Sequence, residues 1–391
     1  MKQQKSLLKS QRTSYLEKKM PVVIEEIASL ACPSAQIEDD TANQIFAIIL
    51  QDWMFNYGSL YVREDYNLLY GRIDSIISKQ LPLHFFLPGF PVKSPNANEK
   101  VLGVLPDFSE LLAIRRLQTT ARKLQAIYQA GVKITILSDY HTFDQYIAVD
   151  EQEYFAYHRG IKKMIQEAGA DDVIELISLS TFPEFKGIPT KEISTFLCKN
   201  FGGDDFLSQF DENILNDQSL LEKYRQLRKF MMTDLKSNLP GSPSSKASKR
   251  YIKEVARGMM AQGVALDTFL KKQCMISNYI RLSIHHHDPQ SGKFAIDLFK
   301  EHASSNGVLR TPWHHVTVFD SAQGRFIINN KIEVEKEVVD GSILVKAKYD
   351  DKDWLYVRLY MENDFFGLFN DKTDSPPLEM SLYRSRCGLC W

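Results

Sequence analysis

Short apolar runs set between amphipathic stretches constrain this chain most. Leu83-His84-Phe85-Phe86-Leu87 is halted by Pro88-Gly89 and reads as a buried strand. Phe108 to Ala130 repeats its apolar residues at helical spacing, with Gly131 placed as a C′ cap. Val132-Lys133-Ile134-Thr135-Ile136-Leu137 is the next strand. Glu151 to Glu167 is the next helix, closed by Gly169, and Val173 to Leu179 is a third strand. Strand, helix, strand, helix, strand is met by parallel strands with crossover helices. The expected fold class is α/β, a Rossmann-like parallel sheet core. An N-terminal helical segment precedes it: Ile45, Ile48, Ile49 and Trp53 recur after the Asp40-Thr41 cap, and a second helix covers Asp65 to Ser78.

Helical patterning fills Thr190 to Lys236. Ser237 to Lys246 is rich in Ser, Pro and Gly, and a helix resumes near Lys249 and runs to about Lys272. The last third is strand-rich, with candidates at Ile276–Ile284, Lys293–Phe299, Val316–Phe319, Arg325–Asn329, Ser342–Lys348 and Leu355–Tyr360. The expected organisation is therefore a helical segment plus Rossmann-like domain over 1–236 and a linker or mobile loop over 237–249. A helix followed by a strand-rich region that completes the site spans 250–391.

The chain has 391 residues and a formal net charge of -1, so no basic surplus points to nucleic acid as the partner. Lys2, Lys5, Lys9 and Arg12 are followed by no apolar run, which argues against a secretory signal. No stretch reaches the roughly 18 apolar residues of a membrane span. The expected setting is the cytoplasm. Five widely spaced cysteines, with a lone Cys387-Gly388-Leu389-Cys390, predict neither a disulfide framework nor a zinc site.

The nucleotide cradles GxGxxG and GxxxxGK[ST] are absent, as is GxSxG. The loop Pro88-Gly89-Phe90-Pro91-Val92-Lys93-Ser94-Pro95-Asn96 instead follows a strand of the expected sheet. Ligands of such sheets bind outside the carboxyl ends of the strands. Its prolines fix φ, so Lys93, Ser94 and Asn96 are presented stiffly. They offer a cation and two hydrogen-bonding groups to a phosphate or carboxylate; a plain structural turn with a solvated lysine is the alternative. Asp107 is a helix N-cap with Glu110 at N3, as in a capping box.

Phe90 to Asn96, then Lys100-Val101-Leu102-Gly103 and Leu105-Pro106-Asp107, resemble the pyoverdine/dityrosine biosynthesis family, whose pattern is FPxKSPN followed by KVLGxLPD. Ile136-Leu137-Ser138-Asp139 with Phe143 and Asp144 is similar to that family's strand end, SDG-x-x-F-x-D. Tyr279 to His285 and Thr311-Pro312-Trp313-His314 resemble its RLSIH and TPWH segments. The order is kept over roughly Leu81 to Arg325. Tyr140 and His141 depart from the pattern, since the family has a glycine after Ser-Asp.

The resemblance implies an isonitrile synthase. Such an enzyme converts the α-amine of tyrosine or tryptophan to an isonitrile, with the ketone carbon of ribulose 5-phosphate as carbon donor. It implies no metal and no organic cofactor. An iron and 2-oxoglutarate oxygenase is the implied downstream partner in secondary metabolism. The candidate catalytic residues are Lys93, which binds phosphate or polarises the ketone, Asp139 or Glu110, which takes the proton the amine must lose, and His314, which shuttles protons. Ser94, Asn96, Lys100, Asp107, Ser138, Arg281, His285, Lys293 and Trp313 are the candidate substrate contacts. Arg281 suits a bidentate anion contact.

Two other readings stay open. His286, Asp288 and His315, with Arg325, resemble the facial triad and anion anchor of an iron and 2-oxoglutarate oxygenase. Alternatively, the Lys93 loop belongs to a ligand-binding protein without catalysis.

Overall fold

The computed structural model describes residues 41–54, 63–285, 287–299, 311–320, 325–339, 342–347 and 355–357. Helices α1 (Thr41–Asp52) and α2 (Asn67–Ser78) lead into strand β1 (Leu83–Pro88). Then follow α3 (Phe108–Ile127), β2 (Val132–Ser138), α4 (Glu151–Glu167) and β3 (Ile174–Ser178). Four further helices come next: α5 (Ile193–Asn200), α6 (Gly203–Ser208), α7 (Phe210–Asn216) and α8 (Gln218–Asp234). The long α9 (Lys246–Ser277) leads to β4 (Ile280–Ser283) and β5 (Lys293–Ala295).

These strands form one sheet in the order β3-β2-β1-β4-β5, parallel throughout. The expected Rossmann-like core is present. Strand order reverses between β1 and β4, which opens a crevice at their carboxyl ends. Both sheet faces are covered, so the strands read as near-continuous apolar runs. Phe85, Leu87, Ile134, Ile136 and Leu282 pack with α1 to α4 in one core. Phe86 and Leu137 point the other way, onto Phe182, Phe185, Phe269 and Leu270 beside α9.

The strand-rich C-terminal part is also present. β6 (Val316–Asp320) and β7 (Arg325–Asn329) form an antiparallel pair. β8 (Val334–Val339), β9 (Ser342–Ala347) and β10 (Leu355–Val357) form an antiparallel sheet. Val316, Val318 and Val334 pack on Leu102 and Phe108. The turn at Lys331–Glu333 donates two backbone N–H groups, to the Lys100 and Glu99 carbonyls, each at 3.1 Å. The C-terminal strands thus brace the loop that carries Lys93.

Several sequence expectations shift. α3 ends at Ile127 with Tyr128 extended, so Gly131 (φ 106°) serves the turn into β2 rather than a C′ cap. The strand expected from Ile276 begins at Ile280, because α9 runs to Ser277 and ends on Asn278 in the left-handed region (φ 56°). α9 also starts earlier than expected, where the Ser245 hydroxyl accepts the Ser248 N–H at 3.1 Å. That start lies inside the 237–249 segment. Strand β8 was not anticipated, since Val334-Glu335-Lys336-Glu337 reads as a solvated run. Cys32, Cys387 and Cys390 lie outside the described residues. Among those described, no helix is long and apolar enough to cross a membrane.

α9 carries Gly258 against the Tyr146 ring, and an added Cβ would sit 2.3 Å from Cζ. Gly258→Ala should therefore destabilise the fold by about 1–3 kcal/mol through overpacking. Urea denaturation checks this; an unchanged midpoint would contradict the packing.

Candidate functional site

The loop after β1 is locked in place before any chemistry is considered. Phe90 adopts φ 54°, a costly conformation for a residue with a side chain. Trp313 braces it: the Phe90 and Trp313 rings lie 5.2 Å apart, and the Trp313 carbonyl accepts the Ser94 N–H at 2.8 Å. A Cβ on Gly89 would meet the Trp313 ring at 3.1 Å, so this position needs a small residue.

Lys93 is carried by this loop into the interior. Its ammonium lies 2.9 Å from Asp107 Oδ2, 2.8 Å from Glu110 Oε2 and 3.1 Å from the Pro312 carbonyl. Those three contacts use all the hydrogens of the ammonium. The same carboxylates start α3: Asp107 Oδ1 accepts the Ser109 N–H and Glu110 Oε2 accepts the Asp107 N–H, each at 2.8 Å. Tyr157, on α4, donates its hydroxyl to Glu110 Oε1 at 3.1 Å. Burial works against the Lys93 charge, but the two carboxylates outweigh it and its pKa is raised. Burial pushes Glu110 up to about 7 against the attraction of Lys93, with help from the Asp107 charge. Burial thus disfavours the Glu110 charge, whereas the two carboxylates favour the charge on Lys93.

A second group forms around Asp234, the last residue of α8. Ser94 donates its hydroxyl to Asp234 Oδ1 at 2.6 Å, and Lys100 lies 2.7 Å from the same oxygen. His314 Nε2 is 3.9 Å away, and its Nδ1 lies 2.7 Å from the Thr311 hydroxyl. Burial opposes the Asp234 charge, yet His314, Lys100 and Ser94 hold its pKa below the usual range. His314 is itself pushed down to about 4 by burial. At neutral pH, then, Lys100 and Ser94 are the partners that hold Asp234, and His314 is an uncharged imidazole. Asn96 serves the same docking, giving its amide to the Thr233 carbonyl at 2.7 Å.

A third group sits at the carboxyl end of β2. Ser138 spends its hydroxyl on the Phe90 carbonyl at 3.0 Å. Asp139 is enclosed, and its Oδ1 finds no hydrogen-bond partner among the described residues. Burial raises its pKa to about 7, against a hydrogen bond from its own backbone N–H and the attraction of Arg281. His141 Nδ1, Thr142 Oγ1 and Asp144 Oδ1 are likewise buried without a hydrogen-bond partner. Such a run of unsatisfied groups is costly unless a ligand or water meets it. Tyr140, where the motif has glycine, needs no positive φ here; its ring stacks on Tyr154 at 4.2 Å and its hydroxyl donates to the Val149 carbonyl.

Sheet register places the fourth group. Phe86, Arg281 and Lys293 occupy one row across β1, β4 and β5, on the face covered by α9. There they meet Asp267 of α9, with Arg281 at 3.6 Å and Lys293 in direct contact. Arg281 is buried, and its Nε has no hydrogen-bond partner among the described residues.

These groups share one electrostatic field. Arg281 acts on Asp139, Asp139 on Tyr157, and Lys93 on His314. The sequence-derived candidates sort accordingly. Lys93, Asp107 and Glu110 converge, as do Ser94, Asn96, Lys100 and His314; Arg281 and Lys293 converge on Asp267, and Arg281 alone of these acts on Asp139. Trp313 is a buried brace, and His285 is exposed. Asp234, Tyr157, Asp267, His141 and Thr142 were not anticipated. Tyr157 hides in the apolar stripe of α4, and Asp234 carries no local signal at all.

For the oxygenase reading, His286 and the Arg325 side chain lie outside the described residues. Asp288 caps the turn at Pro289–Ser291, and His315 Nδ1 meets the Thr311 carbonyl at 2.9 Å. Among the described residues no three His, Cys, Asp or Glu side chains converge as metal ligands.

Comparison with known proteins fits this geometry. The family model for "Pyoverdine/dityrosine biosynthesis protein" matches residues 73–340. An L-tyrosine isonitrile synthase of Pseudomonas aeruginosa is 31% identical over 67% of this chain and 77% of its own length. The L-tryptophan isonitrile synthase AmbI1 of Fischerella ambigua is 29% identical over 68% of this chain and 78% of its own. The crystal structure of PvcA from Pseudomonas aeruginosa superposes with a TM-score of 0.67 at 26% identity, covering 82% of this chain and 99% of that one.

Asp234→Ala would leave Lys100 buried without its counter-charge. The expected cost is about 3–5 kcal/mol, read by chemical denaturation. A loss below about 1 kcal/mol, the value of an exposed pair, would contradict the burial of this group.

Proposed function

Because this chain belongs to the pyoverdine/dityrosine biosynthesis family, we propose that it is an isonitrile synthase. In this reading it converts the α-amine of an aromatic L-amino acid, tyrosine or tryptophan, to an isonitrile and takes the new carbon from ribulose 5-phosphate. The names of the relatives support the reaction class. The observation that carries the residue roles is the pair of buried, unsatisfied groups at the crevice, Asp139 Oδ1 and Arg281 Nε. One is an acceptor awaiting a donor and the other a donor awaiting an acceptor.

Asp139 is the base that takes the proton from the substrate ammonium. Its pKa near 7 suits that task at physiological pH. Arg281 anchors an anionic substrate group. Glu110, fed by the Tyr157 hydroxyl, carries protons in the later steps in which carbon is lost. Lys93 has its hydrogens committed, so in this reading it holds the two carboxylates rather than gripping phosphate. His314, neutral and beside Asp234, is a second proton shuttle. The enzyme works in the cytoplasm, and its product passes to an iron and 2-oxoglutarate oxygenase.

The base role has a definite pH signature. Asp139 must be ionised to act, so kcat/KM should rise through an acid limb near pH 7. Asp139→Asn should lower turnover of tyrosine or tryptophan with ribulose 5-phosphate by about 10²-fold or more. Folded Asp139 binds its proton more tightly than the unfolded chain does. Stability from this group is thus full below about pH 4 and falls as pH rises through about 7. Asp139→Asn should accordingly raise the melting temperature at pH 8. Wild-type turnover in this variant would remove Asp139 from the mechanism.

A further inference from the structure

A graded cluster of cations lies on the α9 face of the sheet, at β4 and β5. Asp267 is met by Lys293, by Lys271 one helical turn further on at 3.1 Å, and by Arg281 at 3.6 Å. Three positive charges share one carboxylate, so the cluster keeps an uncompensated positive surplus. A further guanidinium, Arg72, donates to the Cys274 carbonyl at the end of the same helix. The side chains run from open to closed: Lys271 is 66% exposed, Lys293 13% and Arg281 9%. At the closed end Arg281 Nε is buried with no hydrogen-bond partner among the described residues. An unsatisfied guanidinium N–H at the base of a positive, solvent-reaching cluster is the arrangement that an entering anion completes.

We propose that Arg281, Lys293 and Lys271 bind the dianion of a phosphate monoester. Three cationic donors match the three terminal oxygens of a phosphate better than the two of a carboxylate. Asp267 holds the three cations together when the site is empty, and its own charge tempers the affinity. Assigning the phosphate to the sugar donor rests on the proposed function. It places the donor's phosphate at Arg281, the cation whose charge acts on Asp139.

The test is calorimetric titration of the full chain with inorganic phosphate. Saturable binding is expected. Lys271→Glu and Lys293→Ala should each weaken it by about tenfold or more. Lys271 is exposed, so its variant should keep the wild-type melting temperature. Absence of saturable binding, or wild-type affinity in both variants, would overturn the site. In turnover, Lys271→Glu should raise KM for ribulose 5-phosphate and leave KM for the amino acid unchanged. Weakened phosphate binding with no change in that KM would overturn the assignment to the donor. A wild-type protein that binds phosphate but consumes neither substrate counts against the proposed function and leaves the anion site standing.

Discussion

The enclosed ammonium of Lys93 is the contact on which the rest of the site depends. It joins three separate stretches of chain: the loop after β1, the first turn of α3, and the Pro312 segment that precedes β6. Glu110 Oε2 serves twice, capping Asp107 and pairing with Lys93. A helix start and a buried charge cluster are thus one structure. Enclosing one cation with two carboxylates costs desolvation, which is balanced only because every hydrogen of the ammonium is used. Burial raises the pKa of Glu110, the carboxyl that bears most of that desolvation.

Away from this cluster the crevice changes character. The β2 end presents one acceptor oxygen each of Asp139 and Asp144 without a hydrogen-bond partner among the described residues. The α9 side presents cations in excess of their one carboxylate, at Arg281, Lys293 and Lys271. The parallel sheet creates this asymmetry. Register puts Arg281 and Lys293 in one row facing α9, while the loops after β1 and β2 leave from the same edge. A reaction that must deprotonate an amine and also hold an anionic partner needs both characters side by side.

What could be read from the sequence follows the range of each interaction. Lys93, Asp107 and Glu110 were legible because a stiff loop and an i,i+3 capping pattern are local. The alternation of strands and helices is equally local, and it delivered the fold class. Asp234 was not legible: its partner Lys100 is 134 residues away, and only the docking of α8 brings them together. Asp267 looked like any polar residue on an amphipathic helix until register set Arg281 and Lys293 against it. At the end of α9, exposed Met275 and Ile276 continue the apolar run of β4, so composition alone blurred the boundary that Asn278 sets. Tyr140 presents the converse case. Its position invited a turn that needs glycine, whereas the chain uses the ring to stack on Tyr154.

The central claim concerns the origin of one carbon. Ribulose 5-phosphate labelled with carbon-13 at its ketone carbon, incubated with this protein and tyrosine or tryptophan, is the most direct measurement. The account predicts an amino-acid-derived isonitrile whose terminal carbon carries the label, detected by mass and carbon-13 resonance. An unlabelled isonitrile would contradict the carbon donor, and no isonitrile from either amino acid would contradict the account as a whole.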